Sequence, residues 1–221
     1  MPSSRRGLLF LFLAAALGVC IGGPGLAQPI QAGKDYRVLA RPQPVATPNR
    51  VEVIEFFFYP CPYCNELAPA IERWRKRLSP DVVYRRLPVV RHDSWAPLAK
   101  IYYALEEVGE LDRLHLAVYH SYHRDGLQIN RETVIANWIN KNSSESARFM
   151  ASYRSATIQA KTDAARRMTI EYDVQAMPSF VVDGRYITSS NMTSSVMEVL
   201  SVVDELIVLA RNKQLGQTDQ Q

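Results

Sequence analysis

The chain has 221 residues, of which 47% are hydrophobic and 22% charged, a formal net charge of +4 and three cysteines. This is an ordinary globular composition, large enough for one good core and a small second lobe, and too poor in cysteine for a disulfide framework. The charges are mixed, and the densest basic stretch, "RWRKR" (Arg73 to Arg77), reads as a solvated helix face, so nucleic acid is not an expected partner.

The first 27 residues read as a secretory signal peptide. Arg5 and Arg6 precede an apolar run from Leu8 to Ile21, and a small-residue site, Gly25-Leu26-Ala27, follows. The run is short for a membrane span. Cleavage after Ala27 removes two arginines and no acid, leaving a formal charge of +2. "LGVC" resembles a lipoprotein box around Cys20, but Val19 is larger than the residue such a box places before its cysteine. Without Cys20 the mature chain keeps Cys61 and Cys64.

Residues 28–50 are rich in Pro and Gln and read as an extended arm. Val51–Phe58 is almost continuously apolar, β-branched and aromatic, which suits a strand buried on both faces. Pro60 breaks it, and a helix is expected from about Cys61, with Pro62 in the first turn. Leu67, Ile71, Trp74 and Leu78 give that helix one apolar stripe, and Pro69 is expected to kink it. "SPD" ends the element, and Val82–Leu87 is a second strand.

From residue 94 to about 170 the pattern is helical. One stripe runs Leu98, Ile101, Leu105, Val108 and stops at Gly109; another runs Leu111, Leu114, Val118, Tyr122 and stops before Gly126. Asn130 is expected to cap a short helix through Trp138 and Ile139, and Ser143 or Ser144 a long one reaching about Ile170. Strand signals return at "SFVVDGRYIT", where Asp183-Gly184 marks a hairpin. The last helix starts from Ser194 or Ser195 and carries Val196, Val199, Leu200, Val203, Leu206, Ile207 and Ala210 on one face; the polar tail after it reads as frayed. The order is β, α, β, four helices, β, β, α, so the helices look inserted into a smaller α/β domain. The expected divisions are 1–27 signal peptide, 28–93 first part, 94–165 helical insert and 166–221 second part.

Cys61 and Cys64 stand at the junction of strand and helix. A thiolate, not a thiol, attacks a disulfide. The first turn of a helix offers free N–H groups and the positive end of the dipole, so a cysteine there is acidic. Cys61 is therefore the sulfur expected to attack or be attacked, and Cys64, one turn deeper, the one that resolves. Two other readings compete. A structural disulfide across so short a loop constrains the unfolded chain little. A zinc site needs two further ligands, for which His115, His120 and His123 are the candidates. They fall on a different helix, where exposed positions are the expectation, and no metal or organic cofactor is implied.

"AMPSFVVDGRY" supplies the second signal, a proline at the entrance of a strand roughly 115 residues after the cysteines. A C-x-x-C at a strand-to-helix junction, a proline five residues after its second cysteine and a later X-Pro opening a hairpin together resemble the thioredoxin fold. The resemblance implies that Pro178 is cis and packs on the cysteines, that the Met177 backbone pairs with a substrate strand, and that Pro178 keeps that edge from binding metal. An exported chain of this fold with an inserted all-helical domain resembles the DsbA family of bacterial periplasmic thiol oxidases. "GKDYRVL" (Gly33–Leu39) and "EFFFYPCPYC" match that family's first stretch and active-site strand, and Glu55 matches its buried acid.

The expected function is thus oxidation of newly exported proteins by a Cys61–Cys64 disulfide, with periplasmic location, a monomeric state and reoxidation by an inner-membrane partner of the DsbB type. Glu55, in an apolar strand, is expected to have a raised pKa and to exchange a proton with Cys64. Between the cysteines stands Pro62-Tyr63 where the family usually has Pro-His, and Met177 stands where it usually has Val, so both bear on redox strength and substrate preference. The rivals are a reductase or isomerase of the same fold and a non-catalytic periplasmic binding or chaperone protein.

Overall fold

The computed structural model describes residues 29–47 and 49–218. The signal-peptide and Cys20 expectations lie outside them. Five strands form one mixed sheet in the order β1-β5-β4-β2-β3. β2 (Val51–Phe57) is parallel to β3 (Val82–Pro88) and antiparallel to β4 (Ser179–Val182), which forms a hairpin with β5 (Tyr186–Ser189). All seven residues of β2 are buried, as its continuous apolar pattern predicts. At the hairpin, Asp183 and Gly184 have φ of 53° and 59°, and Arg185 N–H donates to Val182 O at 3.0 Å. Gly184 is required twice over, because a Cβ there would stand 2.2 Å from the Gln43 carbonyl oxygen.

Helices cover both faces. α1 (Pro62–Arg75) and α7 (Val199–Thr218) pack Leu67, Ile71, Trp74, Val203 and Leu206 against Val51, Val53, Phe180 and Val182. Trp74 Nε1 donates to Asp204 Oδ1 at 2.7 Å and ties the two helices together. Ala165, Tyr172 and Val174 cover Ile54, Phe56 and Val181 on the other face. A third core joins Phe57, Cys64 and Ala68 to α2 (Ala96–Glu107), α3 (Leu111–His123), α4 (Glu132–Asn142) and α5 (Ser146–Tyr153). The α/β architecture with a helical block between β3 and β4 is the one expected.

Several details differ from the sequence reading. The arm contributes β1 (Arg37–Val38), which pairs with β5; two residues are too few for a periodic signal. The block has five helices, because the long helix expected up to Ile170 is two, α5 and α6 (Ala156–Glu171). Ser155 starts α6 by accepting from Ile158 N–H at 3.2 Å, a cap that the unbroken helix-forming composition concealed. The cap of α4 is Arg131 rather than Asn130. α6 runs across the expected 165/166 division and packs Ala165 on the sheet. α7 starts after a 3-10 turn capped by Ser195 and continues to Thr218, beyond the start of the expected frayed tail. α1 continues through Pro69.

Candidate active site

The turn after β2 delivers Cys61 to the start of α1. Its amide donates to Phe58 O at 2.9 Å, and Cys61 is the N-cap with Pro62 in the first turn. Pro62 lacks only an N–H that the first turn leaves unpaired anyway. Cys61 Sγ accepts from Cys64 N–H at 3.4 Å. From the other side the loop before β4 brings Met177 O to 3.3 Å, where it accepts from the Cys61 thiol. The Met177–Pro178 peptide is cis and Pro178 is buried, so the two sequence signals meet at one sulfur.

The two thiols are free and lie in opposite environments. Cys61 is partly open. A hydrogen bond from Cys64 and the N–H groups of Cys64 and Tyr63 lower its pKa from 9.0 to about 7 against the opposing effect of burial. Cys64 is fully buried, and desolvation, followed by its hydrogen bond to Cys61, pushes its pKa well above 9.0. Tyr63 is 56% exposed, and Pro62 is exposed beside it.

Beneath α1, Glu55 projects from β2 on the same face as Val53 and Phe57 and is 1% exposed. Desolvation raises its pKa, opposed by Arg86 and by a hydrogen bond from Tyr84. Glu55 is therefore not the lone acid of an apolar strand that the sequence reading implied. Arg86 Nε stands 3.1 Å from its Oε2, the Tyr84 hydroxyl donates to the same oxygen, and Arg86 also pairs with Glu72 of α1. The parallel register sets Glu55 directly across from Arg86. Glu55 is the smallest of the causes that raise the Cys64 pKa.

Tyr84, Arg86 and Glu72 were not singled out from the sequence, where "YRR" in a strand gives no sign of which side chain turns inward. The histidine reading also needs correction. His115 is 2% exposed, not a surface position. Its Nδ1 is 3.0 Å from the Tyr59 hydroxyl, and His123 Nε2 is 2.7 Å from Tyr59 O; only His120 is exposed. Spacing could have found His115: Leu111, Leu114, His115, Val118, Tyr119 and Tyr122 follow i, i+3, i+4, i+7, i+8, i+11. Burial, with Arg86 and Arg75 adding to it, lowers its pKa well below 6.5, so the imidazole is neutral. Among the described residues no three His, Cys, Asp or Glu side chains gather as a metal site.

This geometry can be compared with known proteins. The family model of the DSBA-like thioredoxin domain matches residues 52–200. The thiol:disulfide interchange protein DsbA of Burkholderia cepacia is 31% identical over 208 residues, which cover 94% of this chain and 97% of that protein. The protein of the same name from Bordetella pertussis is 31% identical, with 91% and 96% covered. The crystal structure of Pseudomonas aeruginosa DsbA matches with a TM-score of 0.80 and 29% identity over 84% of this chain and 96% of that one. The match runs from β2 through the cysteine pair and the helical block to the start of α7, and on it the chain belongs to the DsbA-like family of thiol:disulfide oxidoreductases.

Proposed function

We propose that the protein is a periplasmic dithiol oxidase that donates a Cys61–Cys64 disulfide to newly exported proteins. The observation that carries this reading is the placement of two free sulfurs one turn apart, Cys61 partly open at the N-cap of α1 and accepting from the Cys64 amide, Cys64 sealed beneath the helix. A substrate thiolate attacks Cys61 Sγ, the S–S bond breaks, and its electron pair leaves on Cys64. The buried Cys64 thiolate is costly and takes a proton, for which Glu55, with its raised pKa, is the nearby acid. A second substrate thiolate then attacks the substrate sulfur of the mixed disulfide. Cys61 leaves as a thiolate, and its low pKa makes it a good leaving group. The substrate has lost two electrons and the cysteine pair has gained them. In the mixed disulfide Cys61 no longer donates to Met177 O, which keeps the Ser190 hydroxyl as a donor at 3.3 Å and has its second lone pair open to a substrate N–H at the edge that Pro178 opens.

The remaining parts of the reading are supported by the relatives' name and by sequence. Residues 1–27 act as the export signal, and among the described residues no helix is long and apolar enough to cross a membrane. An inner-membrane oxidase of the DsbB type restores the disulfide, the protein works as a monomer, and the helical block between β3 and β4, which ends with α6 at Glu171, is the insert in the thioredoxin domain. Tyr63 and Met177 tune redox strength and substrate choice. The test is oxidation of a two-cysteine peptide by the purified oxidised protein, with the pair equilibrated against glutathione. Rapid stoichiometric oxidation supports the oxidase; a pair that stays oxidised in reducing glutathione buffers refutes it.

A further inference from the structure

The turn between β2 and α1 is Phe58-Tyr59-Pro60-Cys61, closed by the Cys61 amide on Phe58 O at 2.9 Å. Its second residue, Tyr59, is 1% exposed and packs into the helical block, with ring centroids 4.9 Å from Tyr119 and 5.1 Å from Phe57. α3 takes both of its polar ends. The hydroxyl meets His115 Nδ1 at 3.0 Å, and the backbone carbonyl accepts from His123 Nε2–H at 2.7 Å. The histidines lie eight residues apart, two turns along one helix face. Phenylalanine would fill the volume at 59 without a partner. The polar arrangement adds direction, because hydrogen bonds fix orientation where apolar contact does not.

We propose that α3 clamps the active-site turn through Tyr59, and that His115 and His123 are positioning residues for thiol exchange at Cys61. The inference rests on the redox reading above. Cys61 lies two residues beyond the clamped Tyr59. Its sulfur meets the Cys64 amide at 3.4 Å and Met177 O at 3.3 Å. Such contacts weaken steeply with distance and angle, so the orientation of the turn decides how well the donors hold the thiolate. The helical block thereby contributes to the acidity of a sulfur that it does not itself carry.

The experiment compares the parent protein with His123→Ala, His123→Gln, Tyr59→Phe and His120→Ala. Thiolate absorbance is followed against pH, the cysteine pair is equilibrated with glutathione, and thermal unfolding is recorded. His123→Ala is expected to raise the Cys61 titration by about half a unit to one unit and, relative to the parent at a pH well above both titrations, to shift the glutathione equilibrium roughly three- to tenfold toward the disulfide, because the reduced form loses thiolate stabilisation. Gln at 123 restores at least half of the shift by donating from its amide, and His120→Ala behaves as the parent. Tyr59→Phe, which keeps the ring and removes the hydroxyl contact, moves both readouts in the same direction. A fall in thermal stability with an unchanged Cys61 titration in both His123→Ala and Tyr59→Phe overturns the clamp. A parent protein with no acidic thiol and no exchange with glutathione refutes the redox reading instead.

Discussion

The rim and the floor of the site hold one sulfur each, and they treat it in opposite ways. At the rim Cys61 has N–H donors, a hydrogen bond from Cys64 and partial exposure, so its thiolate is favoured. On the floor Cys64 has full burial and Glu55 nearby, so its thiol is favoured. One helical turn separates the two. The lesson is that a C-x-x-C spacing supplies proximity, whereas the direction of exchange comes from which sulfur the fold leaves near water and which it seals beneath a helix.

The largest expected effect sharpens this contrast. In the reduced protein at pH 7, Cys61 is about half ionised while burial keeps Cys64 a thiol, so alkylation should favour Cys61 by at least about tenfold. Mass spectrometry of partly alkylated protein gives the ratio, and equal labelling would remove the assignment. Cys64→Ser should in turn accumulate mixed disulfides through Cys61.

The next effect breaks the floor. Arg86→Met leaves Glu55 and Glu72 without their shared cation. A loss of about 3–5 kcal/mol, read from urea unfolding, is expected for removing one partner of a buried ion pair. A loss below about 1 kcal/mol would mean that the network does not hold the site together.

Glu55→Gln is gentler, because Arg86 keeps Glu72. Its folded pKa is raised above the ordinary 4.5, so above that pH the folded state holds a proton that the unfolded state has lost. Stability contributed by protonated Glu55 is full below 4.5 and declines as pH rises through the raised value. Glu55→Gln should flatten that decline and slow exchange. The gain expected of an unpartnered acid shrinks, because Arg86 and Tyr84 already support the carboxylate. Equal pH dependence of rate in parent and variant would exclude Glu55 from proton transfer.

The smallest effect is at the rim. Tyr63→His puts a donor or a positive charge beside the Cys61 thiolate. No hydrogen bond joins the Tyr63 hydroxyl to Cys61 among the described residues, so that hydroxyl does not already supply the interaction. Solvent screening at a site 56% exposed holds the gain to about 1 kcal/mol, or about 20 mV for a two-electron couple. The reduction potential should rise and the Cys61 pKa fall together. A fall in potential would reverse the charge argument.

Much of this site was legible in sequence, because its parts are local signals. An unbroken apolar run makes β2 a buried strand, Pro60 and Pro62 set the break and the helix start, and Asp183-Gly184 makes the hairpin. Those patterns place Cys61 at an N-cap and Cys64 one turn inside, and the resemblance to a known family added the meeting with Met177 and Pro178. Tertiary structure alone decided what surrounds them. Glu55 and Arg86 are 31 residues apart and Tyr59 and His115 are 56 apart, and each pair meets only when separate elements pack. Periodicity says which face of an element is buried, but it carries no information about which other element lies against that face. The hydrogen bond from Cys64 and the first-turn N–H groups that make Cys61 acidic follow from the C-x-x-C spacing at a helix start and could be read in advance. The ion network under Cys64 and the two histidines on the active-site turn depend on long-range register and packing, so they emerged only from the fold.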